Sequence, residues 1–455
     1  MKKHLLIILL FSTTQLFGQI PTFQTPQPAN LGTYGNQNFF PNQQQNKFPQ
    51  ANSLEQLRLQ QQRQIQEQNQ RLINQATSNT REIPPDVLRD IWEMEQAEKR
   101  NAQYRLPSYK TTNAQTQAYY TAFEKIAEML DGKKPLDLKR AVFLVENAYF
   151  NSSMSWDKFN QSIQDKVNLC HTLMKQKGLS DNPHNRKMAI FSLMSDTLKF
   201  KNTGFDGGDL RKIQIHLPYQ YDFKDFYGKQ SWTSQFVSKL LNTKKGQCHS
   251  MPLLYLILAQ EMGVEAYLST APEHYFVRVK DKNGNLQNLE LTNGMFTSNA
   301  FILASGFIKT EALRNKIYLD TLGLQAQVAN CLSDLAQGYY KKFGFDDFIA
   351  NCIDKNLAVT PNNVHAIAIK SDYYTVWFQY LQQKFGIKDE ASLRKHPQAI
   401  QVLRMRNQIY DLIDNLGFEQ MPKENYEAWL NTLKEAAQKQ EDAEIRKTIY
   451  LNEIK

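Results

Sequence analysis

Beyond residue 19, no stretch of this 455-residue chain approaches the ~20 apolar residues that a membrane-spanning helix needs. That excludes such a helix from the remainder of the sequence. Cysteine is scarce, with Cys170, Cys248, Cys331 and Cys352 only. No Cys-x-x-Cys and no His-x-x-x-His spacing occurs, so no metal site is expected, and no cofactor motif is present. Arginine and lysine are plentiful but spread out. No basic cluster with interleaved aromatics stands out, which argues against a nucleic-acid partner despite a formal net charge of +9. The loop Phe205-Asp206-Gly207-Gly208-Asp209 has two aspartates flanking glycines, but its spacing fits no calcium loop and it reads as a plain turn.

What is present first is a leader. Lys2, Lys3 and His4 precede the apolar run Leu5 to Phe11, and Phe17-Gly18-Gln19 offers a small-residue cleavage site, so residues 1–19 read as a secretory signal. No cysteine lies near that site, which argues against a lipid anchor. Removing Lys2 and Lys3 with the leader leaves a charge of +7. The expected mature protein is exported, periplasmic or extracellular, and the style of the leader suggests a bacterial source. Residues 20–80 are rich in Gln, Asn and Pro and bury too little apolar surface to order, apart from a marginal helix over 53–75 capped by Ser53.

From Pro84-Pro85 onward, apolar residues recur at helical spacing. Helices are predicted over 113–130, 136–150, 155–177 and 184–199, so 84–200 forms a helical part leading into the core. His171 reads as an ordinary helix residue. Lys212 to Leu217 alternates polar and apolar and predicts a short strand, with His216 on its polar, surface-facing phase. From 301 to 455 the chain turns helical again, with helices over 326–340, 346–358, 363–385, 390–416 and 422–441. Trp429 and Leu430 are expected to pack inward. Cys331 and Cys352 fall in two successive helices and are the best candidates for a disulfide, against two buried thiols.

The core is expected over 201–300. A helix over 232–241 leads to Lys244-Lys245-Gly246-Gln247, and Cys248 opens a helix that is apolar nearly all round and therefore central and buried. Gly263 ends it. Strands follow over 265–269, 274–280 and 286–291, with Asn283-Gly284 as a hairpin turn. A cysteine, a histidine and a carboxylate thus arrive in order, Cys248, His274 and Glu290. At a helix start, free N–H groups and the helix dipole favour a thiolate, and Lys244 and Lys245 add positive charge. The hairpin brings positions 274 and 290 to the same end. An imidazole can then exchange the thiol's proton while a carboxylate fixes its tautomer. Asn288 and Asn293 are alternative groups to orient the ring. Asn242, Gln235 and Gln247 are equivalent candidates for an oxyanion donor. His249 reads as a surface residue of the first turn.

The segment Gly246-Gln247-Cys248-His249-Ser250 and its helix to Gly263 resembles the cysteine motif of transglutaminase-like proteins. Ala271-Pro272-Glu273-His274-Tyr275-Phe276-Val277 is similar to the family's histidine strand. Asn288-Leu289-Glu290-Leu291-Thr292-Asn293-Gly294 resembles its Asp-Pro-Thr-x-Gly strand, with Glu290 where aspartate is usual. The resemblance covers roughly residues 230–300. It implies an α+β, papain-like core, a helix packed on a small antiparallel sheet, with Cys248, His274 and Glu290 as a catalytic triad. It also implies a protein or peptide substrate. The Pro361 region resembles a degenerate tetratricopeptide unit, which implies a docking surface for a protein partner on the C-terminal helices. Members of the family include proteases, amidases and silent binding proteins. The expected function is therefore cysteine-dependent acyl transfer or amide hydrolysis, with a catalytically silent binding module as the alternative.

Overall fold

The computed structural model describes residues 104–435 and 438, apart from 111, 202–212 and 226–230. The predicted leader over 1–19, the Gln/Asn/Pro-rich segment over 20–80, the helix starting at Pro84 and the Phe205–Asp209 loop lie outside the described residues.

Four helices come first: α1 (Thr116–Leu130), α2 (Leu138–Tyr149), α3 (Trp156–Gln176) and α4 (Pro183–Ser195). Their starts are set by side chains that accept from otherwise unpaired backbone N–H groups: Asp137 for α2, Ser155 for α3 and Asn182 for α4. Where continuous helix to 199 was expected, α4 ends at Ser195. Asp196 turns extended, and Leu198–Lys201 forms β1, antiparallel to β2 (Ile213–His216). Two short strands, β3 (Gln220–Tyr221) and β4 (Lys245–Gly246), pair in parallel and flank α5 (Val237–Thr243). The buried carboxylate of Glu146, from α2, accepts the first N–H groups of α5, Val237 N at 2.7 Å and Ser238 N at 3.0 Å. It thus caps a helix that lacks a side-chain cap of its own.

The central helix α6 (Ser250–Glu261) is buried from Ser250 to Ala259. Pro252 sits in its first turn, where no N–H partner is needed. The helix packs on a four-stranded antiparallel sheet in the order β5-β6-β7-β8: Tyr267–Ala271, His274–Lys280, Leu286–Glu290 and Met295–Thr297. Helices α2, α3, α4 and α5 cover its other sides.

After two short helices, α7 (Asn299–Leu303) and α8 (Thr310–Arg314), the described residues from Leu324 on form helices and their connections only. Here α9 (Leu324–Phe343), α10 (Asp347–Val359), α11 (Val364–Phe385), α12 (Glu390–Leu393) and α13 (Pro397–Leu416) pack pairwise, consistent with helical repeats. A last helix, α14, is described over 423–435. These helices do not stand apart. Helix α9 packs on α1 and α2, and one hydrophobic cluster runs from Leu106 through α6 to Leu433. The fold is thus α+β around α6, with an all-helical C-terminal part. Cys331 and Cys352 are both buried free thiols, as is Cys170. Among the described residues, no helix is long and apolar enough to cross a membrane.

Candidate active site

The site is assembled at the head of α6. The parallel pairing of β3 with β4 sets Tyr221 opposite Gly246, through Gln220 N–H to Lys244 O and Asp222 N–H to Gly246 O, each at 2.8 Å. Position 246 requires glycine because a Cβ there would meet Ser250 Oγ at 2.6 Å and Leu240 Cδ1 at 2.7 Å. Ser250 Oγ accepts the Gln247 N–H, which closes the turn that presents Cys248. The cysteine lies just before the helix proper, half-buried, with its thiol toward the β5–β6 turn. That turn is two residues long, and Glu273 adopts a left-handed φ of 56°. Its carbonyl lies 3.9 Å from Cys248 Sγ.

His274 opens β6 and is 3 % exposed. Strands β6 and β7 pair Val277 with Leu289, which makes Glu290 the diagonal neighbour of His274 on the same face. The Glu290 carboxylate can only accept, so the 2.7 Å contact is a hydrogen bond from His274 Nε2–H to Glu290 Oε2. Glu290 Oε1 accepts the Thr292 N–H at 2.9 Å, which holds the carboxylate itself. The other ring nitrogen, Nδ1, is buried and finds no further hydrogen-bond partner; the group it interacts with is the Cys248 thiol. The structure therefore brings Cys248, His274 and Glu290 together in one row. Asn288 and Asn293 are engaged elsewhere, with Asn299 and with the Met295 N–H.

The electrostatics follow from this geometry. Burial alone would raise the Cys248 thiol pKa, but the hydrogen bond and charge of His274 outweigh it and hold the thiol below its usual value. Burial would likewise push the His274 imidazolium down, but the charge of Glu290 and hydrogen bonds to Cys248 and Glu290 pull it up to about 10. A thiolate–imidazolium pair is the arrangement this site favours.

Several expectations for neighbouring residues are corrected. His249 is not a surface residue. Its two ring nitrogens lie 3.0 Å from Gln235 O and 3.0 Å from Asp334 Oδ1. Both partners can only accept, so both nitrogens carry protons and the ring is an imidazolium. Burial opposes that charge, but Asp334 outweighs it and raises the pKa to about 9. His216 is also buried, at 5 % exposed, because β2 lays that phase against α4, where the ring meets Leu193 O at 2.8 Å. Burial, then the Lys244 charge, lowers its pKa to about 4. Lys244 is not the source of the thiol's acidity. Its ammonium donates to Leu217 O and sits over the Tyr219 ring. Of the oxyanion candidates, Gln247 is committed through Nε2 to Asp222 O and Asp225 O, and Asn242 is exposed.

Sequence reasoning missed three residues at the site. Tyr426 Oη lies 3.6 Å from Cys248 Sγ and 3.5 Å from Tyr221 Oη. The indole of Trp429 meets the His274 ring edge-on, with centroids 4.6 Å apart. Tyr426 and Trp429 stand on α14, and their spacing in sequence matches only an inward helix face. Nothing local signals that this face lies over a cysteine 178 residues away.

No curated protein and no solved structure gives a match to the chain. Residues 209–302, which hold Cys248, His274 and Glu290, match the family model of the transglutaminase-like superfamily.

Proposed function

We propose that the protein is an exported enzyme that cleaves or transfers an acyl group of a protein or peptide amide through a Cys248 thioester. The observation that carries this reading is the row Cys248–His274–Glu290, with the thiol at a helix head and the imidazole fixed in one tautomer by a buried carboxylate. A transglutaminase-like domain fits cysteine-based acyl transfer or hydrolysis and a protein substrate.

The chemistry runs as follows. With its proton already on His274 Nδ1, Cys248 attacks the amide carbon as a thiolate. The carbonyl oxygen takes the negative charge near the N–H groups at the head of α6. As the carbonyl re-forms, the C–N bond breaks and His274 returns its proton to the leaving nitrogen. A thioester remains. Water or an amine then attacks it, His274 takes the proton of that nucleophile, the C–S bond breaks, and the thiolate leaves. Glu290 keeps Nε2–H oriented and stabilises the imidazolium throughout.

The test is acyl release from labelled peptides and peptidoglycan fragments by wild type and Cys248→Ala. Release by wild type, absent in the folded variant, supports the proposal. Equal release by both sinks it. The binding-module reading draws on the cover that Trp429 and Tyr426 place over the site. Full complementation of a knockout by Cys248→Ala would establish that reading instead.

A further inference from the structure

The matched segment ends at residue 302, yet the thiol has a polar neighbour far beyond it. Tyr426 is 1 % exposed and Trp429 7 %, and with Met421, Leu430 and Leu433 they set α14 into the main hydrophobic cluster. The helix is therefore docked by its own apolar face. It carries one hydroxyl to Cys248 Sγ and one indole to the His274 ring. Strand β3 brings Tyr221 Oη to the same hydroxyl.

We propose that Tyr426 is a further catalytic residue whose hydroxyl donates a hydrogen bond to the Cys248 thiolate, so that the site is complete only with helix α14 in place. This rests on the acyl-transfer reading above. A thiolate has no proton to give, so at 3.6 Å the tyrosine hydroxyl is the donor and the sulfur the acceptor. Tyr221 then donates to Tyr426 and orders its hydroxyl. Burial, followed by the Cys248 charge, raises the proton affinity of both phenols well above the ordinary range, so both keep their protons wherever the thiolate exists. Trp429 packs edge-on against the His274 ring from the same helix.

The groups that face Cys248 must be separated in any pH experiment. They are His274 and Tyr275 on β6, Glu273 in the β5–β6 turn, Tyr221 on β3, His249 beside it, and Tyr426 on α14. His249, raised to about 9, and His274, raised to about 10, change charge at the upper end of the useful range, so the decisive reading is taken below both.

The experiment is iodoacetamide alkylation of Cys248 in the full chain, followed by mass spectrometry of its peptide from about pH 5 to about pH 10. The other three cysteines are buried and label slowly. Wild type is expected to label well below the inflection near 8.5 of a free thiol. Tyr426→Phe keeps the ring and loses the donor. Its inflection should rise by about one unit, so that labelling at pH values below the wild-type inflection falls about tenfold while the alkaline plateau moves less than about twofold. Tyr221→Phe leaves the Tyr426 hydroxyl on the sulfur and should shift the profile less. If Tyr426→Phe does not fold, Tyr426→Met gives the same reading. A Tyr426→Phe profile superimposed on wild type overturns the proposal, and so does a variant that labels faster at every pH, since the tyrosine would then be a shield. A wild-type profile already at the free-thiol inflection would instead remove the acyl-transfer reading on which the proposal stands.

Discussion

Glu290 holds His274 from a diagonal position across β6 and β7, through a 2.7 Å hydrogen bond between two buried side chains. The longer glutamate side chain suits this diagonal, and the Thr292 N–H fixes its second oxygen. The expected consequence is a graded response. Glu290→Gln keeps an oxygen that accepts from Nε2–H but loses the charge that supports the imidazolium, and turnover should fall roughly tenfold to a hundredfold. Glu290→Ala leaves Nε2 unpaired and should cost at least about tenfold more than that. Equal kinetics for the two variants would mean that the carboxylate does not orient the ring.

Gly246 offers a test of how the nucleophile is presented. Its Cβ position is already filled by Ser250 Oγ and Leu240 Cδ1. Gly246→Ala should push β4 away from α6, cost ~1–3 kcal/mol of stability and slow alkylation of Cys248. Unchanged melting together with unchanged labelling would contradict the close packing there.

The parts of the fold that were legible in the sequence are those set by local pattern. The apolar run after Cys248 could only be a buried helix, and Asn283-Gly284 fixed a hairpin whose register carries Glu290 to His274. The parts that were not legible depend on long-range partners. His249 looked like a first-turn surface residue because Asp334, its counter-ion, lies 85 positions on. The alternation over 212–217 does not show which face of β2 is covered, because its partner β1 begins where the helical spacing runs out. The role of α14 over the thiol was invisible for the same reason. An inward-facing stripe predicts burial but not what it is buried against.

The docking of α14 predicts that a chain ending near residue 420 is damaged as a whole rather than trimmed. Tyr426, Trp429, Leu430 and Leu433 would leave the main cluster and uncover the apolar surface around Cys248. A loss of at least ~3 kcal/mol in urea unfolding is expected, by the scale of large buried side chains removed from cores. A truncated protein as stable as the full chain would show that the helix contributes nothing to the core.

The His249–Asp334 pair makes stability depend on pH in a definite sense. Its folded pKa, about 9, exceeds the ordinary histidine value near 6.5, so the folded state binds the proton more tightly than the unfolded state does. The resulting stabilisation is fully present below about pH 6.5 and is lost as pH rises through about 9. Glu146 titrates in an overlapping range with its pKa raised to about 7 by burial, so the wild-type curve alone does not isolate the histidine. The effect of His249→Gln is therefore read in a Glu146→Gln background, because the His249 charge itself lowers the Glu146 pKa. In that background the protein with His249 should exceed the one without it by ~1–3 kcal/mol in acid, since the pair is mostly buried, and the gap should close towards about pH 9.5. A gap that is constant with pH would show that His249 acts by packing alone. A gap that widens with pH would reverse the sign and remove the imidazolium assignment drawn from its two acceptor partners.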